Sequence, residues 1–125
     1  MAKVLVIDDD LGARHAMTTM LQQVGHESHA SGDPAEAINI ALTFKPDVLV
    51  ADWILKPFYN GLEVAETLRA AHPNLGVVFI TGVSPEEVEP KIQHLQPYRL
   101  VSKPCEFFKL FEAVQEMSPK EVSSA

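Results

Sequence analysis

The residues best placed to do chemistry in this sequence stand where apolar runs stop. "VLVIDDD", Val4 to Asp10, drives four apolar residues straight into Asp8, Asp9 and Asp10, and "VLVAD" ends on Asp52. "VVFIT" ends on Thr81 and "LVSK" on Lys103. Two carboxylates about 4 Å apart repel by roughly 1 kcal/mol in water and by about 4 kcal/mol at the dielectric of a protein surface. A crevice that gathers three of them therefore needs an opposing charge, which a hard divalent cation supplies. Magnesium, or manganese in its place, takes oxygen ligands and keeps positions for a phosphate oxygen, so acids, a lysine and a hydroxyl around one cation suit phosphoryl chemistry. In that setting a carboxylate serves as nucleophile and forms an acyl phosphate, while the cation and the lysine stabilise charge on the transferring group.

Such groups converge only if strands deliver them to one edge. "KVLVI", "DVLVA", "GVVFIT" and the weaker "YRLVS" are near-continuous runs of β-formers, the pattern of parallel strands buried on both faces. "HESHA", His26 to Ala30, is short and polar and fits an edge strand. Between the runs lie helical spacings: Met17, Met20, Leu21 and Val24; Ile38, Ala41 and Leu42; Val64, Leu68 and Ala71; Phe107, Leu110, Phe111 and Val114. "DPAE" from Asp33 and "SPEE" from Ser84 carry a capping side chain, then Pro, then Glu, and Asn60 with Glu63 reads as a further cap. Asp10 directly precedes the first helix and reads as its cap rather than as a ligand. Strand and helix alternate five times, which predicts an α/β domain with a doubly wound five-stranded parallel sheet and helices on both faces. In the order 2-1-3-4-5 the polar strand lies at an edge, and strands 1 and 3 flank the switch point where such sheets bind ligands.

Composition removes other classes. The 125 residues suffice for one domain, read as residues 1–118, with 119–125 as a flexible tail or the start of a linker. With 10 Lys and Arg against 17 Asp and Glu, and a net charge of −7, the chain lacks the basic cluster that phosphate backbones require, so no nucleic-acid contact is expected. No apolar run is long enough for a bilayer, and "VLVI" is too short for a signal peptide, so no membrane partner and a cytoplasmic location are expected. The single cysteine, Cys105, excludes an internal disulfide and has no nominated base. His15, His26, His29, His72 and His94 show no metal-ligand spacing.

Taken in order, "VLVIDDD", "VLVADW" followed by "NGLEV", "VVFITG" and "LVSKP" resemble a response-regulator receiver domain of two-component signalling, from about Lys3 to Met117. The resemblance implies that Asp8 and Asp9 hold a magnesium ion together with Asp52 and the backbone carbonyl of Ile54. By the same resemblance Asp52 is the phosphoacceptor, Thr81 the hydroxyl that moves to the phosphoryl oxygen, and Lys103 the cation that pairs with it. A cis Lys103–Pro104 bond is expected on the same ground. The implied partners are a sensor histidine kinase or phosphotransfer protein as donor, with small phosphodonors as substitutes. A downstream protein or fused output domain is expected to read the fourth helix, fifth strand and fifth helix. Such a domain catalyses only its own phosphorylation and dephosphorylation, and is not an enzyme in the metabolic sense.

Several residues depart from the family's pattern. Lys56 lengthens the loop after Asp52, placing Lys56, Phe58 and Tyr59 beside the acids as a lid, as a partner contact, or as a bulge with its aromatics packed on the third helix. Ile54 and Val83, each two residues beyond a site residue, are apolar where polar side chains would orient a hydrolysing water, so a long-lived phosphoaspartate is expected. Leu100 replaces an aromatic switch residue, with Tyr98 two positions away on the same side of the strand. Pro90 predicts that the fourth helix kinks or starts late, and makes it the easiest element to move. Phe108 lies beside the core stripe of the last helix and is available to a partner. The rival readings are a magnesium-dependent hydrolase with an aspartate nucleophile, a flavodoxin-like binding module, and a receiver-like docking module that has lost the phosphoryl chemistry. The first lacks room for a cap domain, and in the second the acidic "DDDLGA" would repel a cofactor phosphate.

Overall fold

The computed structural model describes residues 2–55, 59–104 and 106–119, with the backbone alone for Leu55, Tyr59 and Asn60. In chain order the elements are β1 (Lys3–Ile7), α1 (Leu11–Gln23), β2 (Glu27–Ser31), α2 (Pro34–Phe44), β3 (Val48–Asp52), β4 (Ile54–Leu55) and β5 (Tyr59–Asn60). There follow α3 (Gly61–Ala71), β6 (Gly76–Thr81), α4 (Pro85–Ile92), a 3-10 turn at Gln93–Leu95, β7 (Tyr98–Ser102) and α5 (Phe107–Met117). The five long strands form one parallel sheet in the order β2-β1-β3-β6-β7, the expected 2-1-3-4-5 winding. Edge strand β2 is displaced by one residue from the expected "HESHA", because Lys3 pairs with Glu27 and Ile7 with Ser31.

Alternation along the central strands explains why they are apolar throughout. Leu5, Ile7, Leu49, Ala51, Val77 and Phe79 point to one face and pack with Ala37 and Ala41 of α2, Val64 and Leu68 of α3, and Val88 and Ile92 of α4. Their neighbours Val4, Val6, Val48, Val50, Val78 and Ile80 point to the other face, against Met17 and Leu21 of α1 and Leu110 and Val114 of α5. Each central strand thus feeds two cores, and truncating a fully buried member such as Phe79 or Leu5 costs about 2–5 kcal/mol. Among the described residues no helix is long and apolar enough to cross a membrane.

The helix starts follow the sequence unevenly. Asp10 caps α1 by accepting the Ala13 N–H at 3.0 Å, and Asp33 caps α2 by accepting that of Glu36 at 3.0 Å. Ser84 makes no side-chain cap; its backbone carbonyl takes the Glu87 N–H at 3.0 Å instead. The Asn60 side chain, read as a cap for α3, lies outside the described residues. Despite Pro90, α4 does not start late: it begins at Pro85, runs through the proline, which has no N–H to give the Glu86 carbonyl, and yields to the 3-10 turn at Gln93. The lengthened segment after Asp52 folds as a short antiparallel ladder, Ile54 opposite Asn60 and Leu55 opposite Tyr59, with Lys56, Pro57 and Phe58 outside the described residues.

Candidate functional site

The same two-residue period that fills the cores sorts the polar groups at the carboxyl edge. Asp8 continues the set of Val4 and Val6, Asp52 that of Val48 and Val50, and Lys103 that of Val101, all on the α1/α5 side of the sheet. There they line one crevice of about 670 Å³ with Asp9, Asp10, Ala13, Ala16, Met17, Ile54, Ile80, Pro104 and Phe107. Carboxylate oxygens of Asp8, Asp9 and Asp52 lie within 4.8 Å of one another.

Each buried acid is fixed by its surroundings. Asp8 is buried, its N–H donates to Ser31 O at 3.1 Å, its carbonyl accepts Arg14 Nη1 at 2.9 Å, and its Oδ1 accepts the Asp10 N–H at 2.9 Å. Asp52, 5% exposed, accepts the Ile54 N–H on Oδ1 at 3.2 Å and Lys103 Nζ on Oδ2 at 2.9 Å. Gly61 presses on the same strand end: a Cβ there would meet the Asp52 carbonyl oxygen at 2.3 Å, and the Gly61 N–H donates to Trp53 O at 2.9 Å. Trp53 itself turns to the other face, buried edge-on against Phe79 at 5.5 Å between ring centroids.

Electrostatics here pulls in two directions. Burial raises the Asp8 pKa above the usual carboxylate value; the Asp10 N–H opposes this, the Asp52 and Asp9 charges add to it, and Lys103 offsets part. For Lys103, burial acts downward, but the hydrogen bond and charge of Asp52, with the charges of Asp8 and Asp9, outweigh it and hold the ammonium pKa above its ordinary value. One lysine shared among three acids leaves the cluster short of positive charge. Three converging carboxylates, with neither thiolate nor imidazole among them, form a donor set suited to a hard, oxygen-seeking divalent cation.

Asp8, Asp9, Asp52 and Lys103 are thus brought together, and Ile54 lines the crevice with a half-exposed side chain. Asp10 borders it but spends its carboxylate on the α1 cap. Thr81 is set apart: it belongs to the opposite face of β6, is 1% exposed, and its hydroxyl accepts the Val83 N–H at 2.9 Å and donates to Val83 O at 3.2 Å. Leu100 and Tyr98 share that face, packed against the core under α4. The Lys103–Pro104 bond is cis, as expected, and so is Gln96–Pro97, which the motifs do not mark. Sequence reasoning passes over Arg14 and Gly32; an arginine on a helix reads as solvated, and only the fold brings it back over the end of β1.

Residues 4–115 match the model of the family described as "Response regulator receiver domain". The chain belongs to that family. Among curated receivers, it is 32% identical to "Response regulator MprA" of Mycobacterium avium over 80 residues, which are 64% of this chain and 35% of that relative's length. The chain therefore spans about a third of that relative's length. Among solved receivers, the chemotaxis protein CheY4 of Vibrio cholerae superposes with a TM-score of 0.84 at 26% identity, covering 94% of this chain and 98% of the other. The response regulator protein TrrA of Thermotoga maritima, solved in complex with Mg(2+)-BeF, superposes with a TM-score of 0.80 at 25% identity, covering 94% and 99%.

Proposed function

We propose that this receiver accepts a phosphoryl group on Asp52 in a magnesium-dependent (or manganese-dependent) reaction and thereby switches the partners it engages. The observation that carries the reading is a buried Asp52 carboxylate with Lys103 Nζ at 2.9 Å and the Asp8 and Asp9 carboxylates within 4.8 Å. The Mg(2+)-BeF held by the related TrrA supports it. Asp8, Asp9 and Asp52, with the Ile54 carbonyl, would hold the cation, which when bound neutralises charge on the phosphoryl oxygens.

An Asp52 carboxylate oxygen attacks phosphorus, and the O–P bond forms as the P–N bond of a donor phosphohistidine breaks. The electron pair returns to the leaving imidazole, which takes up a proton. Lys103, already donating to Asp52 Oδ2, is within reach of the incoming phosphoryl oxygens and offsets their charge. Ile54 and Val83 offer no side-chain hydrogen bond to a hydrolysing water, so the acyl phosphate is long-lived. Thr81 has to leave its turn with Val83 to reach the phosphoryl group, and that exchange is how the state of Asp52 is passed to α4. The donor is a sensor histidine kinase, a phosphotransfer protein or a small phosphodonor in the cytoplasm. The reader is a downstream protein or fused output domain on α4, β7 and α5, where Phe108 is 72% exposed.

Trp53 lies in the core directly beneath Asp52 and reports on the site. Saturable quenching or enhancement of its fluorescence by Mg²⁺, with a further change on adding beryllium fluoride that Asp52→Asn abolishes, is expected. A folded protein that responds to neither addition contradicts the reading and leaves a docking module.

A further inference from the structure

We propose that Arg14 is a positioning residue for the acid cluster and that Gly32 is the space left for it. The inference rests on the cation-dependent reading above. Arg14 Nη1 reaches from α1 to donate to the Asp8 carbonyl at 2.9 Å. That carbonyl belongs to the peptide that carries Asp9, so holding it sets the angle between the two adjacent carboxylates. Asp8 is also held through its N–H on Ser31 and its Oδ1 on the Asp10 N–H. Of these three contacts, the one from Arg14 is made by another residue's side chain; Ser31 and Asp10 use backbone groups.

The turn between β2 and α2 is shaped to admit this guanidinium. A Cβ placed on Gly32 would stand 2.1 Å from Arg14 Nη1 and 3.0 Å from its Cζ, but 3.4 Å from the Asp8 carbonyl oxygen, an ordinary contact. A side chain at position 32 would therefore displace the flexible end of Arg14 and leave the backbone where it is. Gly32 has no left-handed backbone that would itself penalise alanine. Gly32→Ala is thus a remote way to lift Arg14 off Asp8 with little cost to the fold.

Charge and positioning predict opposite signs. Arg14 brings a positive charge toward the site, so on charge alone its loss would tighten cation binding. Groups that orient a ligand typically change metal affinity by about 10–100-fold when removed. Calorimetric titration of MgCl₂ into the full chain, paired with melting of the metal-free protein, separates the two. Arg14→Ala is expected to weaken Mg²⁺ binding about tenfold, and Arg14→Lys to recover part of the loss. Gly32→Ala should weaken it comparably without moving the metal-free melting temperature, and should add nothing in the Arg14→Ala background. Equal or tighter Mg²⁺ binding by Arg14→Ala, or an unchanged further loss from Gly32→Ala in that background, overturns the inference. Failure of the unsubstituted protein to bind Mg²⁺ instead overturns the cation reading, and the inference with it.

Discussion

The corner of the sheet under α1 and the corner under α4 are held by different means. At the first, Asp8 is fixed through its N–H, its carbonyl and its Oδ1, Asp52 through both carboxylate oxygens, and Asp10 closes the start of α1. At the second, the Thr81 hydroxyl bonds only within its own turn with Val83, among the described residues, and Ser84 makes no side-chain cap. Helix α4 is eight residues long, carries Pro90 in its interior and buries Val88 and Ile92. The acids are in place before anything binds, whereas the element beyond Thr81 is tethered by few contacts. A ligand shifts an equilibrium only by its preference between two states; under the proposed function, the short α4 without a side-chain cap is the element that a preference at Asp52 would move.

The largest effect is expected at Lys103. Lys103→Met removes the cation from the fixed corner, and phosphoryl uptake from a small acyl phosphate should slow by about a hundredfold, measured by intact mass over time. Unchanged uptake would mean that the Lys103–Asp52 pair is structural. Gly61→Ala sets a Cβ against the Asp52 carbonyl, which cannot swing aside as a side chain does. Denaturant titration should show a loss of about 1–3 kcal/mol, with weaker Mg²⁺ binding from the displaced strand end.

The two helix starts sharpen the contrast at smaller scale. Asp10→Ala deletes a formed cap and should cost about 1 kcal/mol, while Ser84→Ala, with no cap bond to lose, should be nearly silent in the same titration. Equal costs would contradict the difference between the corners. The smallest effect lies far from both, where buried His26 accepts the Ala2 N–H on Nδ1 at 3.0 Å. Burial holds its pKa below the ordinary 6.5, so both folded and unfolded forms are neutral above pH 6.5 and stability is retained there. Below that pH the unfolded chain takes up the proton first, and stability falls as pH drops toward the lowered pKa. Melting temperature should decline from pH 6.5 downward, and less so in His26→Asn.

Much of this is legible in the sequence. Runs such as "VLVI" and "VVFIT" must be central strands because each feeds two cores, and their last residues then have to gather at one edge. Asp8, Asp52 and Lys103 share a face because all three follow the same period of two. That period also sends Thr81 to the opposite face, which a list of strand-end residues does not reveal. The ladder at Ile54–Leu55 and Tyr59–Asn60 was illegible because an added residue can be taken up as a bulge, a lid or a pairing. "SPEE" and "DPAE" look alike as strings, yet Ser84 makes no cap and Asp33 does, because at Ser84 the backbone supplies the contact. Arg14 is not legible in the sequence because its meaning depends on a glycine in another turn.

Everything proposed for this site turns on Asp52 taking the phosphoryl group. Incubation of the full chain with Mg²⁺ and a small acyl phosphate, followed by intact-mass measurement and peptide mapping, tests it most directly. The mass of one added phosphoryl group is expected, located on Asp52 and absent from Asp52→Asn and from samples without the cation. Equal labelling of Asp52→Asn, or no labelling of the folded unsubstituted protein, would contradict it.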